Sequence, residues 1–165
     1  MATDPPKMGA VKRGALALTR TPLFRKVLGP KVLGRIDRWV LLKTKGRWTA
    51  FGKPMFPTMV LITIGRRSGE ARPVSLVYVP DGDDAFVVGS NWAREGHPAW
   101  SHNLMADPSA TVVAGGEEWE ADAHLLTDAE KAERWPALIE VMPQWDEYVS
   151  ITDRNIRVFH LARQA

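Results

Sequence analysis

The chain has 165 residues, 45% of them hydrophobic and 25% charged, which fits one folded domain with a substantial core and argues against general disorder. It contains no cysteine, which excludes a disulfide scaffold, a thiolate zinc or iron–sulfur site and a cysteine nucleophile, and suits a reducing cytoplasmic setting. The formal charge of +3 hides a division: residues 1–53 carry 13 Lys/Arg against 2 Asp/Glu, a balance of +11, whereas residues 54–165 carry 9 against 17, a balance of −8. A basic N-terminal segment, 1–53, and a more acidic domain, 54–165, are therefore expected to differ in surface and in role. No run approaches the roughly 20 apolar residues of a membrane-crossing helix. Met1 to Pro6 lack an apolar signal-peptide core, so export is not expected.

In the basic segment a short apolar run, Leu23 to Leu28, precedes a helix expected over Lys31–Thr44, where Val32, Ile36, Trp39, Val40 and Lys43 recur at helical spacing. Pro30 stands at its start and Gly46 beyond its end. Lys31, Arg35, Arg38, Lys43 and Lys45 give it a cationic fringe. The ordinary reading is a helix that caps the following domain. The alternative is a basic amphipathic helix lying in an anionic membrane surface. Basic residues also attract phosphate, but no recognition motif accompanies these, so no nucleic-acid partner is expected.

From residue 54 the pattern becomes β. Strands are expected at Thr58–Ile64, Arg72–Val79, Ala85–Ser90, Ala110–Ala114, Glu118–Leu125 and Ile156–Ala162. Glu118–Leu125 alternates strictly, with Trp119, Ala121, Ala123 and Leu125 on one face, and Gly115-Gly116 supplies a tight turn into it. Two helices interrupt the strands. Pro98–Ala106 is short. Asp128–Val149 opens with capping-box spacing at Thr127 and Glu130, and Pro136 and Pro143 are expected to break or kink it into two or three pieces. Short strands with frequent turns fit a small antiparallel barrel with peripheral helices, a mainly β, α+β architecture. The sequence shows neither the regular strand–helix alternation nor the GxGxxG or P-loop motifs of a doubly wound sheet.

Three segments carry possible chemistry. In Gly65-Arg66-Arg67-Ser68-Gly69, closed by Arg72, glycines can turn backbone amides inward while guanidinium groups supply forked donors for phosphate or carboxylate; the ordinary alternative is a solvated basic turn. The segment from Gly89, Ser90 and Asn91 through Trp92 to Trp100 and Asn103 offers a close backbone approach for a flat ligand, polar groups for a ring carbonyl, and two tryptophans that are equally at home in a core. Trp135, Leu138, Ile139, Met142, Trp145, Tyr148 and Val149 read as a core stripe or as the apolar wall of a substrate pocket, with the Tyr148 hydroxyl at its edge. His97 and His102 do not share a helix face, His124 and His160 fall in strands, and no acidic cluster accompanies them, so no metal site is expected.

The order LITIGRRSGEARPVSLVYV, VVGSNW…HPAWSHNLMADPSATV and WPAL…MPQWDEYVSITDR…RVFHL resembles the deazaflavin-dependent nitroreductase family of actinobacteria, from about Thr58 to the C-terminus. The resemblance implies a six-stranded split β-barrel, related to FMN-binding barrels, and a reductase that uses coenzyme F420. It implies cofactor contacts at Arg66, Arg67, Ser68, Arg72, Trp100 and Asn103, with the ring near Ser75, Leu76, Gly89, Ser90 and Asn91. Met142, Trp145 and Tyr148 fall on the substrate wall, and Ser90 or Tyr148 would polarise the acceptor or relay a proton. The implied partner is a small-molecule hydride acceptor: an enone, a quinone or a nitroaromatic. The sequence departs from the family where Met142 and Trp145 stand in place of tyrosines and Asn91 in place of a frequent lysine. A homodimer, and an N-terminal segment that associates with membranes in some members, are further implications. An FMN-dependent oxidoreductase and a non-catalytic cofactor- or lipid-binding protein are the alternatives.

Overall fold

Runs of β-branched residues separated by small turn residues set the architecture. The computed structural model describes residues 30–165, with side chains from Gly34 onward; the Leu23–Leu28 run lies outside them. Strands β1 (Thr58–Ile64), β2 (Ala71–Asp81), β3 (Asp84–Val88), β4 (Ser109–Ala114), β5 (Glu117–Leu125) and β6 (Val158–Arg163) close an antiparallel barrel in the order β1-β2-β3-β6-β5-β4. The expected six-stranded barrel is thus the observed one. β6 starts two residues later than its apolar pattern suggests, and β3 stops at Val88, before Gly89 and Ser90. Between β4 and β5 the turn is Gly115-Gly116, both at positive φ (61° and 100°), the backbone geometry that a two-residue hairpin of matching twist requires.

Strand alternation builds two apolar layers. Leu61, Val87, Val112, Ala121, Phe159 and Leu161 fill the barrel. Phe86, Val88 and Val158 point outward from it and are covered by Leu138 and Trp145. β3 is consequently buried on both faces, although it is only five residues long.

Among the described residues, four helices surround the barrel: α1 (Pro30–Lys43), α2 (Ala99–Ala106), α3 (Asp128–Val141) and α4 (Gln144–Ser150). α1 docks through Leu41, which is fully buried with Val60 and Val113, while Arg38 Nη1 donates to the Pro73 carbonyl at 2.6 Å. Beyond the end of the helix at Lys43, Gly46 has φ +79° and lies so close to the β4–β5 turn that a Cβ would come within 2.7 Å of Ala114 Cα. Trp39 faces outward and is 60% exposed. The capping role applies, and the apolar residues on the outer side of α1 stay open.

At the start of α3 the capping box forms: Thr127 N–H donates to Glu130 Oε2 (2.7 Å) and Glu130 N–H donates to Thr127 Oγ1 (3.3 Å). Pro136 does not break the helix as expected. Trp135, Leu138 and Ile139 on either side of it pack into the outer layer, and that shared burial outweighs one missing backbone hydrogen bond. The break falls at Met142-Pro143, as expected of the second proline, and leaves two pieces, with Pro143 opening α4.

Leu41→Ala should lower stability by about 2–5 kcal/mol, the range for emptying a buried leucine site. Urea denaturation measures it, and a loss below about 0.5 kcal/mol, the surface range, would show that α1 does not depend on this contact.

Candidate functional site

The site begins with an asymmetry in β2. Along β1 the strand is paired from Ala71 to Val77, but β3 pairs with it only from Tyr78 to Asp81. The first half of β2 therefore has a second edge without a strand beside it among the described residues. Such an edge presents backbone N–H and C=O groups in a row. This edge lines a cavity of about 820 Å³, which takes in Arg72 through Val77. Alternation sends Val74 and Leu76 toward the barrel core and Val77 toward the outer layer, so Ser75, on the same face as Val77, also points outward.

The arginine turn stands at one end of the cavity. Gly65, Arg66, Arg67 and Ser68 all line it, with Arg72. Gly65 is required there, because a Cβ would come within 2.6 Å of Ser68 Oγ. The expected cradle of inward amides is not what forms. Gly65 N–H donates to the Glu70 carbonyl, Ser68 and Gly69 N–H to the Gly65 carbonyl, Glu70 N–H to Ser68 Oγ, and Arg66 N–H to Asn103 Oδ1. These amides are spent in folding the turn. Arg72 is also engaged: Nη2 lies 2.8 Å from Glu70 Oε2 and donates to Ser68 Oγ at 3.1 Å. Arg66 and Arg67 are exposed and have no ion-pair partner among the described residues. The anion-binding capacity therefore resides in their guanidinium groups and in the Arg67 amide, the one N–H of the Gly65–Gly69 turn without an acceptor among the described residues.

Asn103 explains the position of the turn. It is buried on α2, and its Nδ2 donates to the buried Thr63 Oγ1 at 3.0 Å while its Oδ1 accepts from Arg66 N–H at 3.3 Å. It lines the cavity and pins α2 and the arginine turn to the end of β1. Trp100, one turn earlier on α2, is 6% exposed and meets Phe159 at 5.8 Å between ring centroids. It serves both the core and the cavity wall. Trp92 does the opposite: it is 72% exposed at the rim.

The segment after β3 folds in an unexpected way. Asn91, Trp92 and Ala93 form a single left-handed turn with φ of 50°, 56° and 54°. Each left-handed residue with a Cβ costs roughly 1–2 kcal/mol, so the turn needs support from outside itself. The Asn91 side chain gives part of it, donating from Nδ2 to the Gly96 carbonyl (3.1 Å), and Arg154 adds to it, donating from Nη1 to the Gly89 carbonyl (3.0 Å) and from Nη2 to the Ser90 carbonyl (2.8 Å). Ser90 and Asn91 line the cavity. Gly89 does not: its Cα faces the Arg157 carbonyl, 3.2 Å from where a Cβ would be, and its amide donates to that oxygen. Its smallness serves strand packing, not a ligand.

On the opposite wall, Met142, Trp145 and Tyr148 from the end of α3 and from α4 face the β2 edge. Trp145 is 3% exposed and belongs to the outer apolar layer as well, so the core and pocket readings both hold. Every site residue expected from the sequence except Gly89 lines this one cavity. A second cavity, about 520 Å³ beside Trp48, Phe56 and Tyr78, contains none of them.

Sequence reading missed Arg154 and the pairing of His97 with His102. The two rings meet edge to face at 5.8 Å, next to Arg154 and Arg157. The signal for Arg154 was only its place within the TDR stretch. Burial holds His97 below its ordinary pKa of 6.5, helped by Arg157, Arg154 and His102; burial, Arg157 and Arg66 do the same for His102. His124 and His160 lie elsewhere, beside Glu130 and Asp84.

The cavity therefore combines two guanidinium groups free of carboxylates, a half-open strand edge and an apolar wall. That set fits an anionic, flat heteroaromatic molecule: phosphate against the arginines and a polar ring edge along β2. The model of the F420H2-dependent quinone reductase family matches residues 33–162, and the chain belongs to that family. A putative F420H2-dependent quinone reductase of Mycobacterium tuberculosis (strain ATCC 25618 / H37Rv) is 30% identical over 111 residues, covering 67% of this chain and 92% of that protein. A second F420H2-dependent quinone reductase of the same strain is 31% identical and covers 66% and 74%. The solved structure of an F420H2-dependent reductase, FDR-A, superposes with a TM-score of 0.59 at 31% identity, covering 64% of this chain and 93% of that one. A chain described as a domain-swapped dimer gives 0.60 at 29%, covering 74% and 96%. The chain is an oxidoreductase whose cofactor is coenzyme F420, and the FMN alternative gives way.

The histidine pair predicts an acid-sensitive fold. Because their folded pKa values lie below the unfolded one, the folded state binds fewer protons, and stability is complete above about pH 6.5 and falls as pH drops through the folded values. Asp128 and Glu130 are held below the ordinary carboxylate range by hydrogen bonds and stay out of that window. The melting temperature should be lower at pH 5 than at pH 7.5, and a His97→Gln, His102→Gln variant should flatten the difference. An equal slope in both proteins would refute the assignment.

Proposed function

We propose that this cavity binds coenzyme F420 and that the protein reduces a quinone. The observation that carries the reading is the pair of guanidinium groups without an ion-pair partner among the described residues, Arg66 and Arg67, placed where the half-open edge of β2 enters the same cavity. Arg66 and Arg67 would hold the anionic part of the coenzyme, and Ser68 and Arg72 shape the bend behind them. Ser75, Leu76, Ser90 and Asn91 would border the ring. When bound, the reduced deazaflavin supplies a hydride.

Met142, Trp145 and Tyr148 would hold the acceptor flat over the ring and keep water from it. A quinone suits this wall because it is planar and apolar with carbonyl oxygens at its edge. The Tyr148 or Ser90 hydroxyl can donate a hydrogen bond to such a carbonyl and favour the charge that develops there. The family and the named relatives support a quinone over an enone or a nitroaromatic. A homodimer is the assembly favoured by the relative described as a domain-swapped dimer.

The test is a fluorescence titration of coenzyme F420 into the wild type and an Arg66→Ala, Arg67→Ala variant, followed by turnover of the reduced coenzyme with quinones, enones and nitroaromatics. Affinity should fall at least about tenfold in the variant, as loss of one hydrogen bond to a charged group gives, and quinone should be the best acceptor. Unchanged affinity would remove the site assignment. Tight binding with no turnover on any acceptor would favour a non-catalytic binding protein.

A second partner is favoured by the outer side of α1. Trp39, Ile36 and Leu42 are exposed there beside the exposed cations Arg35 and Lys43, a composition suited to an anionic membrane surface on the cytoplasmic side. Among the described residues no helix is long and apolar enough to cross a membrane. The wild type should float with anionic vesicles and a Trp39→Ala variant should float less; a wild type that stays in the pellet would remove this partner.

A further inference from the structure

Arg154 lies beyond α4, outside any strand or helix, yet its guanidinium reaches back to the end of β3. One nitrogen donates to the Gly89 carbonyl and the other to the Ser90 carbonyl, at 3.0 and 2.8 Å. Nη1 also lies 3.0 Å from His97 Nδ1. An arginine only donates, so His97 Nδ1 must accept, which fixes His97 as neutral with its proton on Nε2. His97 follows the left-handed turn and Gly89-Ser90 precede it. The same guanidinium therefore ties both ends of a turn whose three residues have φ values that their side chains disfavour.

We propose that Arg154, held together with neutral His97, is a positioning residue for coenzyme binding: it locks the Asn91–Ala93 turn so that Ser90 and Asn91 line the cavity, Asn91 with its Nδ2 already donating to the Gly96 carbonyl. This rests on the reading that the coenzyme ring borders Ser90 and Asn91. A planar fork is needed because two successive carbonyls must be met at once, which a lysine ammonium on a flexible stem does not reproduce. Ordering the turn in advance removes a cost that the coenzyme would otherwise bear on binding.

The clamp has a built-in dependence on acid. The charged and titratable groups facing His97 are Arg154, Arg157 and His102, and Arg66 stands behind His102. All are basic. A proton on His97 Nδ1 removes the acceptor and adds a cation to this group, so the turn loosens as pH falls.

The experiment titrates coenzyme F420 fluorescence with full-length wild type, Arg154→Lys, Arg154→Ala, His97→Gln and Arg67→Ala at pH 7.5 and 5.5, with melting temperatures recorded in parallel. Arg154→Lys should weaken binding about tenfold at pH 7.5, one charged hydrogen bond's worth, and Arg154→Ala at least as much. His97→Gln keeps an uncharged acceptor at both pH values. It should bind like the wild type at pH 7.5 and lose less affinity on acidification. Ionisation of the coenzyme and of His102 is common to both proteins and cancels in that comparison. Wild-type affinity in Arg154→Lys overturns the clamp, even if its melting temperature falls, and so does an identical pH dependence in His97→Gln and wild type. Should Arg154→Ala fail to fold, the other two variants still decide. Undiminished binding by Arg67→Ala would instead overturn the placement of the coenzyme, and the clamp's role with it; weakened binding by Arg67→Ala alone would overturn only the clamp.

Discussion

Closure of this barrel leaves β2 with more residues than its neighbour can pair. β3 covers only Tyr78 to Asp81, and the earlier half of the strand has β1 on one side and a cavity on the other. Arg38 already meets the Pro73 carbonyl; the backbone polar groups of this stretch that no protein group meets need a partner from water or from a ligand. The remaining parts of the site are arranged around that edge: the arginine turn where β2 begins, α2 behind it, the left-handed turn after β3, and α4 across the gap. Each is delivered by a connection between strands, as binding residues on a rigid scaffold commonly are.

Cations dominate the polar side of this arrangement. Arg66, Arg67, Arg154 and Arg157 stand near the cavity or behind its rim without an ion-pair partner among the described residues, although the domain from residue 54 is acidic overall. Apart from Glu70, which pairs with Arg72 in the turn itself, the paired carboxylates lie elsewhere, as at Glu117 with Arg163 and Asp128 with Lys131. The concentration of positive charge raises the affinity for an anion in the low-dielectric slot. After burial, which is the larger cause, it also helps to hold His97 and His102 below their ordinary pKa. On the other wall, Trp145 is both core and pocket, which gives that wall a rigid surface.

Local signals carried most of the fold. The strict alternation of β5, the two glycines before it, and the Thr127–Glu130 pair all act over a few residues, and all appear where expected. The arginine turn was visible because glycines and arginines in a strand connector are chemically distinctive. What a turn does with its amides was not visible, since that depends on Ser68 and Asn103 closing on it. Pro136 misled because its neighbours' burial is tertiary. Arg154 and the histidine pair were missed for the same reason: Arg154 meets its partners 57 to 65 residues away in sequence, and no local pattern marks such a contact. The left-handed turn at Asn91–Ala93 runs against the preference of Trp92 and Ala93, so propensity pointed away from it.

The central claim is that the half-paired edge of β2 and the two free arginines form one binding surface. Crystals of the full chain soaked with coenzyme F420 test it most directly. The account predicts the negatively charged end of the coenzyme against Arg66 and Arg67, with its ring alongside β2 between Arg72 and Val77. A coenzyme found in the cavity beside Trp48 and Tyr78, or held with no contact to either arginine, would contradict it.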